Sequence, residues 1–338
     1  MVSGLKQFVF RAAHSRTFSR TVQMFDRWES QRNDLLRVLT YHRVDHCDAY
    51  PELDPVLLSA SPARFAKQME MVARHFAPVS IEQVIAAVQQ EQFLPPQAVL
   101  ITFDDAYRSF RMHAWPVLKR LGIPCVQFVA TGFVDQREHS FWWDRVHQAV
   151  CEADAIQQLE TRMGNWSLSS KADRQRCLTE LSSRIRALQD EQAQGFVQEL
   201  CDQLNCRTIA NHVMNWAELR QLADEGLALA PHSRHHPLLT RVSTERARHE
   251  IHDSIADLKD RTGQSIAAFS YPLGAQAVNL EPLLSNAGIK IAFTTQRGVN
   301  DLSLANPLQL QRINVGRFTP TALLHAQMLS WFPSIGSD

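Results

Sequence analysis

Leu100-Ile101-Thr102-Phe103-Asp104-Asp105 runs from residues of strand character straight into two adjacent carboxylates. Consecutive side chains of a strand point to opposite faces, so an apolar strand cannot bury both acids. The pair therefore belongs at the strand's end, in a site. Farther on, Leu227-Ala228-Leu229-Ala230 leads into His232-Ser233-Arg234-His235-His236-Pro237, which offers imidazoles at His232 and His236. One carboxylate with two histidines is a metal-ligand set.

Each motif has a plain structural alternative. An Asp-Asp after a strand can serve turn chemistry or cap a helix, and His-x-x-x-His recurs by chance in a chain with 14 histidines. Order and context favour a site, because both follow apolar runs and Phe269-Ser270-Tyr271-Pro272-Leu273-Gly274 does the same.

Apolar runs of strand length occur at about 37–41, 98–102, 125–130, 227–230, 267–271, 290–295 and 312–315. Between them lie helical patterns with recognisable ends: Ser61-Pro62 as N-cap and first-turn proline, Ser80 with Gln83 as a capping box, and Glu281-Pro282 opening a segment that Gly288 closes. Gly122 and Pro124 end the helix begun near Tyr107. Strand and helix in alternation predict a parallel sheet curled into a distorted seven-stranded barrel. In such barrels chemistry sits where strands end, and every motif obeys this: His42 follows the first strand, Asp104 and Asp105 the second, His232 the fourth, Pro272 the fifth.

Residues 136–212 interrupt this pattern for too long to form a plain loop. Their apolar spacing (Val146, Val150; Leu178, Leu181, Ile185, Leu188; Phe196, Leu200, Leu204) predicts a helical insertion over one side of the barrel mouth. The barrel unit is then 35–330, preceded by a segment 1–34. Residues 1–25 carry Lys6, Arg11, Arg16 and Arg20 without an acid, and apolar residues at helical spacing. This fits an interfacial amphipathic helix better than a secretory signal, with cover for the barrel's outside or a transit peptide as alternatives.

The 338 residues suit one such barrel plus an insertion. Net charge is zero, which gives no electrostatic case for nucleic acid. Six scattered cysteines without C-x-x-C spacing argue against a disulfide scaffold or cysteine-bound zinc. No stretch reaches the roughly 18–20 apolar residues of a membrane span.

Tyr41-His42-Arg43-Val44, Thr102 to Ser109, Gly122-Ile123-Pro124, Val129-Ala130-Thr131-Gly132-Phe133, Trp142-Trp143-Asp144, His232 to Pro237 and Tyr271-Pro272-Leu273-Gly274 occur in an order that resembles the polysaccharide deacetylases of the NodB-homology type, carbohydrate esterase group 4. The resemblance covers roughly residues 36–317. It implies a metal-dependent hydrolase of N-acetyl groups in which Asp105, His232 and His236 bind a divalent cation, zinc first, with cobalt, nickel or iron also compatible. Asp104 would act as base and the Leu273 amide would contact the oxyanion. A metalloprotease of the His-Glu-x-x-His type is disfavoured, because position 233 is Ser and Pro237 opposes helical geometry at His236. His235 is the competing ligand to His236.

Three departures from the family pattern stand out. Ala106 replaces the glycine after the aspartates, which costs about 1 kcal/mol or more wherever φ is positive. No arginine precedes Pro272 to pair with the base, so metal and burial alone are expected to set its pKa. The late Leu-x-His motif has only Leu323-Leu324-His325 as a match, in a helical tail, which leaves His42 as the preferred site histidine, with a structural hydrogen bond across the mouth as its alternative.

The expected activity is deacetylation of an amino sugar in a polysaccharide, oligosaccharide or lipid-linked precursor, in the cytoplasm at the inner membrane face. The alternatives are a non-catalytic glycan-binding or assembly protein on the same fold, and a hydrolase of another amide or an O-acetyl ester.

Overall fold

All seven apolar runs form strands in the computed structural model, which describes residues 31–136, 140–153, 156–206, 211–274 and 278–330. The expected amphipathic segment 1–25 lies outside these residues. In chain order the strands are β1 (Leu35–Tyr41), β2 (Arg43–Val44), β3 (Leu58–Ala60), β4 (Ala77–Pro78), β5 (Ala98–Phe103), β6 (Cys125–Val129), β7 (Gln158–Thr161), β8 (Gly164–Ser167), β9 (Ala228–Pro231), β10 (Ala268–Ser270), β11 (Ile291–Phe293), β12 (Asn300–Asp301) and β13 (Ile313–Asn314). The seven runs correspond to β1, β5, β6, β9, β10, β11 and β13.

The main sheet has the order β12-β1-β5-β6-β9, with β13 also on β1 and β4 also on β5. It is parallel except for β12, which runs antiparallel to β1. Strands β10 and β11 form a separate parallel pair, linked onward by a single bridge from Phe293 to Leu310.

The expected distorted seven-stranded barrel is not closed: among the described residues no ladder joins β9 to β10. Side chains occupy the backbone groups that such a ladder would use. Gln264 accepts from the Leu229 amide at 2.7 Å and donates to the Leu227 carbonyl at 2.9 Å. At the end of the same gap, His232 reaches from β9 to the Ser270 carbonyl of β10. The result is an α/β fold whose sheet curls around a core without closing.

The central strands β1, β5 and β6 are buried on both faces, as parallel sheets require. In β5, Ala98 and Leu100 enter one apolar cluster with Val38, Phe128 and Phe293, while Val99, Ile101 and Phe103 enter another with Phe65 and Phe110. This two-sided burial rigidifies the strand that delivers Asp104 and Asp105.

Helix ends follow the sequence signals. Ser61 accepts from the Arg64 amide ahead of Pro62–His75, Ser80 and Gln83 form a complete capping box, and Gly122 (φ 64°) terminates Trp115–Leu121 in the left-handed conformation.

Between β6 and β9, helices Trp142–Glu152, Lys171–Arg186 and Asp190–Gln203 share their own apolar cluster, including Val146, Leu181, Ile185 and Phe196. A purely helical insertion is nevertheless incorrect, because β7 and β8 form an antiparallel hairpin with Leu159 opposite Trp166. Its single apolar face is short, and alternation over four residues is easily lost among helical periods.

Candidate active site

Strand β5 ends as the Asp104 amide donates to the Tyr41 carbonyl at 3.0 Å. The chain then enters the left-handed region at Asp105 (φ 69°) and Ala106 (φ 53°), and it does so again at Ser233 (φ 61°), His236 (φ 55°) and Leu273 (φ 55°). Such angles cost L residues about 1–2 kcal/mol each. Strain concentrated in the three motif loops is typical of sites whose surroundings over-determine the backbone.

Those surroundings are visible around the histidine loop. The Thr131 and Gly132 amides donate to the Ser233 and Arg234 carbonyls, and the Ser233 hydroxyl accepts from the His236 amide at 3.0 Å. A Cβ on Gly132 would stand 2.8 Å from the Arg234 carbonyl oxygen, so only glycine permits this approach.

These turns bring Asp105, His232 and His236 together, all buried. The Nε2 atoms of His232 and His236 lie 3.2 Å apart, and Asp105 Oδ1 is 3.7 Å from the first and 3.5 Å from the second. Donors about 2.1 Å from a shared tetrahedral zinc stand about 3.4 Å from one another, so the triangle has the size a cation needs.

The donor chemistry fits too. His232 Nδ1 donates to the Ser270 carbonyl at 2.7 Å, which leaves the neutral ring's Nε2 as a lone pair facing the other two donors. Asp105 Oδ1 and His236 Nδ1 are buried without a hydrogen bond. Burial, then the charges of Asp104 and Asp144, push the Asp105 carboxyl well above its usual range, while burial and His232 hold His236 well below its own. A cation relieves this conflict by satisfying the carboxylate and both neutral imidazoles at once.

Asp104 is held differently. Arg312 donates to Oδ1 at 2.9 Å and to Oδ2 at 2.8 Å, and its Nε donates to the Thr294 carbonyl at 2.8 Å. Burial alone would raise the Asp104 carboxyl, but the Arg312 guanidinium, helped by His232, outweighs it and keeps the group below the ordinary carboxylate range. The expectation that no arginine meets this acid is thus incorrect. The arginine comes from the residue before β13 and not from the one before Pro272. Its sequence signal was a cation opening the short run Arg312-Ile313-Asn314-Val315.

His42 follows β1 and its ring feels the charges of Asp104, Arg312 and His232; burial holds it at about 4, so it is neutral at pH 7. Leu273 and His236 line a common groove with Trp142 and Arg241. His235 turns away to Glu250, with Nδ1 2.9 Å from its carboxylate, so of the two candidates only His236 joins the cluster. His325 packs on His75 and Phe76 instead of the site.

Trp143 is buried, stacked on Phe141 at 4.5 Å, with its ring 5.0 Å from His236. Its Nε1 donates to the Tyr107 hydroxyl, which donates to Asp144; the Asp54 amide donates to the other Asp144 oxygen. Burial raises Asp144 to about 7 against the pull of Arg43. Sequence reasoning missed this scaffold, since the tyrosine and the Trp-Trp-Asp run meet only in space. Trp142, half-buried, is the tryptophan that faces the groove.

Comparison with known proteins bears on the family and the fold. The family model for polysaccharide deacetylase matches residues 92–292. A poly-beta-1,6-N-acetyl-D-glucosamine N-deacetylase of Escherichia coli (strain K12) is 33% identical over 97 residues, which are 29% of this chain and 14% of that protein. The chain thus spans a small part of the curated relative it matches. In three dimensions it is similar to the Streptococcus pyogenes deacetylase PplD in complex with acetate (TM-score 0.59, 19% identity, 87% of this chain and 98% of that one). It is also similar to IcaB from Ammonifex degensii (TM-score 0.58, 20% identity, 88% and 98%). With the family model covering more than half of its length, the chain belongs to the polysaccharide deacetylase family.

Proposed function

We propose that this chain is a metal-dependent hydrolase that removes N-acetyl groups from an amino sugar in a polysaccharide, oligosaccharide or lipid-linked glycan. The observation that carries the reading is the buried triangle of Asp105, His232 and His236 beside an arginine-clamped Asp104. Asp105, His232 and His236 would hold a divalent cation, zinc by donor type, with cobalt, nickel or iron also accepted by the same set.

A cation held there would supply Lewis acidity toward the acetyl carbonyl and lower the pKa of a water from about 16 toward about 7. Asp104, kept ionised by Arg312, takes the water's proton. The Leu273 amide donates to the oxyanion as charge develops there. The proton held by Asp104 then passes to the departing nitrogen, and His42, neutral at rest and near Asp104, is the candidate to carry it. The amide C–N bond breaks, leaving acetate and a free amine. Trp142 offers an apolar face to the sugar ring.

The deciding experiment measures bound metal and acetate release over a panel of N-acetylated glycans. Bound metal with acetate release is expected. Bound metal without release from any glycan would favour the glycan-binding alternative, and release only from O-acetyl esters would change the bond cleaved. Residues 1–25 are further proposed to hold the enzyme at the cytoplasmic membrane face, on the strength of their basic, apolar composition. Deleting them should reduce co-sedimentation with anionic vesicles; an unchanged membrane fraction rejects the anchor.

A further inference from the structure

A second cavity, of about 920 Å³, opens between the loops after β1 and β13 and the inserted helices. Arg43, Arg64, Lys171 and Arg317 line it, brought together from four separate segments. Among the described residues none of the four has a carboxylate within ion-pair distance. Of the two acids in the lining, Asp45 already faces His113 at 3.4 Å and Asp48 is exposed.

Arg43 is the informative member. It is 94% buried (6% exposed), it gives Nη2 to the Asp54 carbonyl, and its Nε has no hydrogen-bond partner. A buried guanidinium with an unused donor is costly unless an anion meets it, and Asp144, whose charge Arg43 feels, is not within ion-pair distance among the described residues. Arg43 also ties the cavity to the acetyl site, because it follows His42 in the chain and lies over the Tyr107 ring at 5.6 Å. Arg174, also in the lining, is committed to the carbonyls of Val150, Cys151, Ala153 and Leu168 and is a wall element. At the outer lip, Phe318 stays 65% exposed with the Arg317 guanidinium stacked on it at 4.4 Å.

We infer that this cavity binds a phosphoryl group carried by the glycan, so that the substrate is an amino sugar bearing a phosphate or diphosphate ester. The inference rests on the deacetylase reading and names its substrate class. A phosphate ester carries about two negative charges and several acceptor oxygens, which matches converging cations better than the single charge of a uronic acid. Two sources share this chemistry: a diphosphate linking sugar to lipid, and a soluble sugar phosphate.

The test compares kcat/KM for acetate release from N-acetylglucosaminyl substrates that are neutral, phosphorylated, diphosphorylated, or diphosphate-linked to a short prenyl chain. The phosphorylated substrates should be favoured by about tenfold or more, and the preference should shrink at high salt as the charges are screened. In the variant R64Q/K171Q/R317Q the ratio should fall close to one; K171Q, at an exposed position, should lower it in part without threatening the fold. Titration of the full chain with inorganic pyrophosphate should give binding in wild type and none in the triple variant. Extra gain from the prenyl chain assigns the lipid-linked source, and equal gain assigns the soluble one. Equal kcat/KM on neutral and phosphorylated substrates, or a preference that the variants leave intact, overturns the proposal. Absence of acetate from every substrate would strike the deacetylase reading, while the pyrophosphate titration still decides the cavity.

Discussion

Arg312 grips Asp104 through two parallel hydrogen bonds of 2.9 and 2.8 Å, and both side chains are buried. A bidentate pair fixes orientation as well as charge. It therefore aims the carboxylate while keeping it ionised, and it leaves Asp105, the next residue, to face the histidines. Two adjacent acids acquire different roles because one has an arginine and the other has not.

Replacing Arg312 should show this in a pH profile. The folded-state pKa of Asp104 lies below its unfolded value, so its contribution to stability is complete above about pH 4 and is lost as pH falls through the lower folded value. In Arg312→Met burial is opposed only by the neighbouring His232 and His42, and the acid limb of kcat/KM should move up by about one unit or more. Stability should drop by about 3–5 kcal/mol, the usual cost of stranding one partner of a buried pair. Arg312→Lys keeps the charge without the fork and should shift the limb less. Identical acid limbs in all three proteins would show that Asp104 does not govern the rate.

Asp104→Asn keeps the shape of the side chain and removes the base. Turnover should fall by roughly 10²- to 10⁴-fold, the range for a general base, with metal content preserved. Acetate release beside elemental analysis of the same preparation checks both halves. Loss of metal together with activity would place Asp104 among the ligands, which its 3.9 Å distance from His232 Nε2 and its pairing with Arg312 oppose.

A cation that joins Asp105, His232 and His236 binds the folded chain alone, so it should stabilise. At a free metal concentration about 100-fold above its Kd, the gain is about 2.7 kcal/mol. Thermal unfolding with zinc and with chelator should differ by several degrees in wild type and not at all in Asp105→Ala. An equal zinc-dependent shift in that variant would locate the metal elsewhere.

The fold was legible where burial is two-sided, because runs such as Val99-Leu100-Ile101 have few alternatives to a central strand. The cluster of Asp105, His232 and His236 was legible because its members sit in two short motifs directly after strands. Arg312 was not, since its meaning depends on which neighbour β13 takes, and pairing partners leave no local mark. The open sheet was equally hidden: it depends on Gln264, a polar residue in a turn, reaching the edge of β9. The hairpin of β7 and β8 vanished because Leu159 and Trp166 are its two buried residues.

Ala106 offers a last test, of strain. It is buried and left-handed at φ 53°. Glycine there would relieve about 1–2 kcal/mol of backbone strain, against about 0.8 kcal/mol for a lost methyl group and a somewhat larger entropy of the unfolded chain. Ala106→Gly should therefore stay within about 1 kcal/mol of wild type in chemical denaturation. Ala247, equally buried but the fourth residue of helix Thr244–Thr262, with its amide donating to the Ser243 carbonyl, has no strain to release. There the same substitution should cost about 2 kcal/mol, from helix propensity and the lost methyl together. Equal costs at the two positions would mean that the turn after Asp105 is not strained by its alanine, and that the backbone turning the two acids apart is as relaxed with alanine as with glycine.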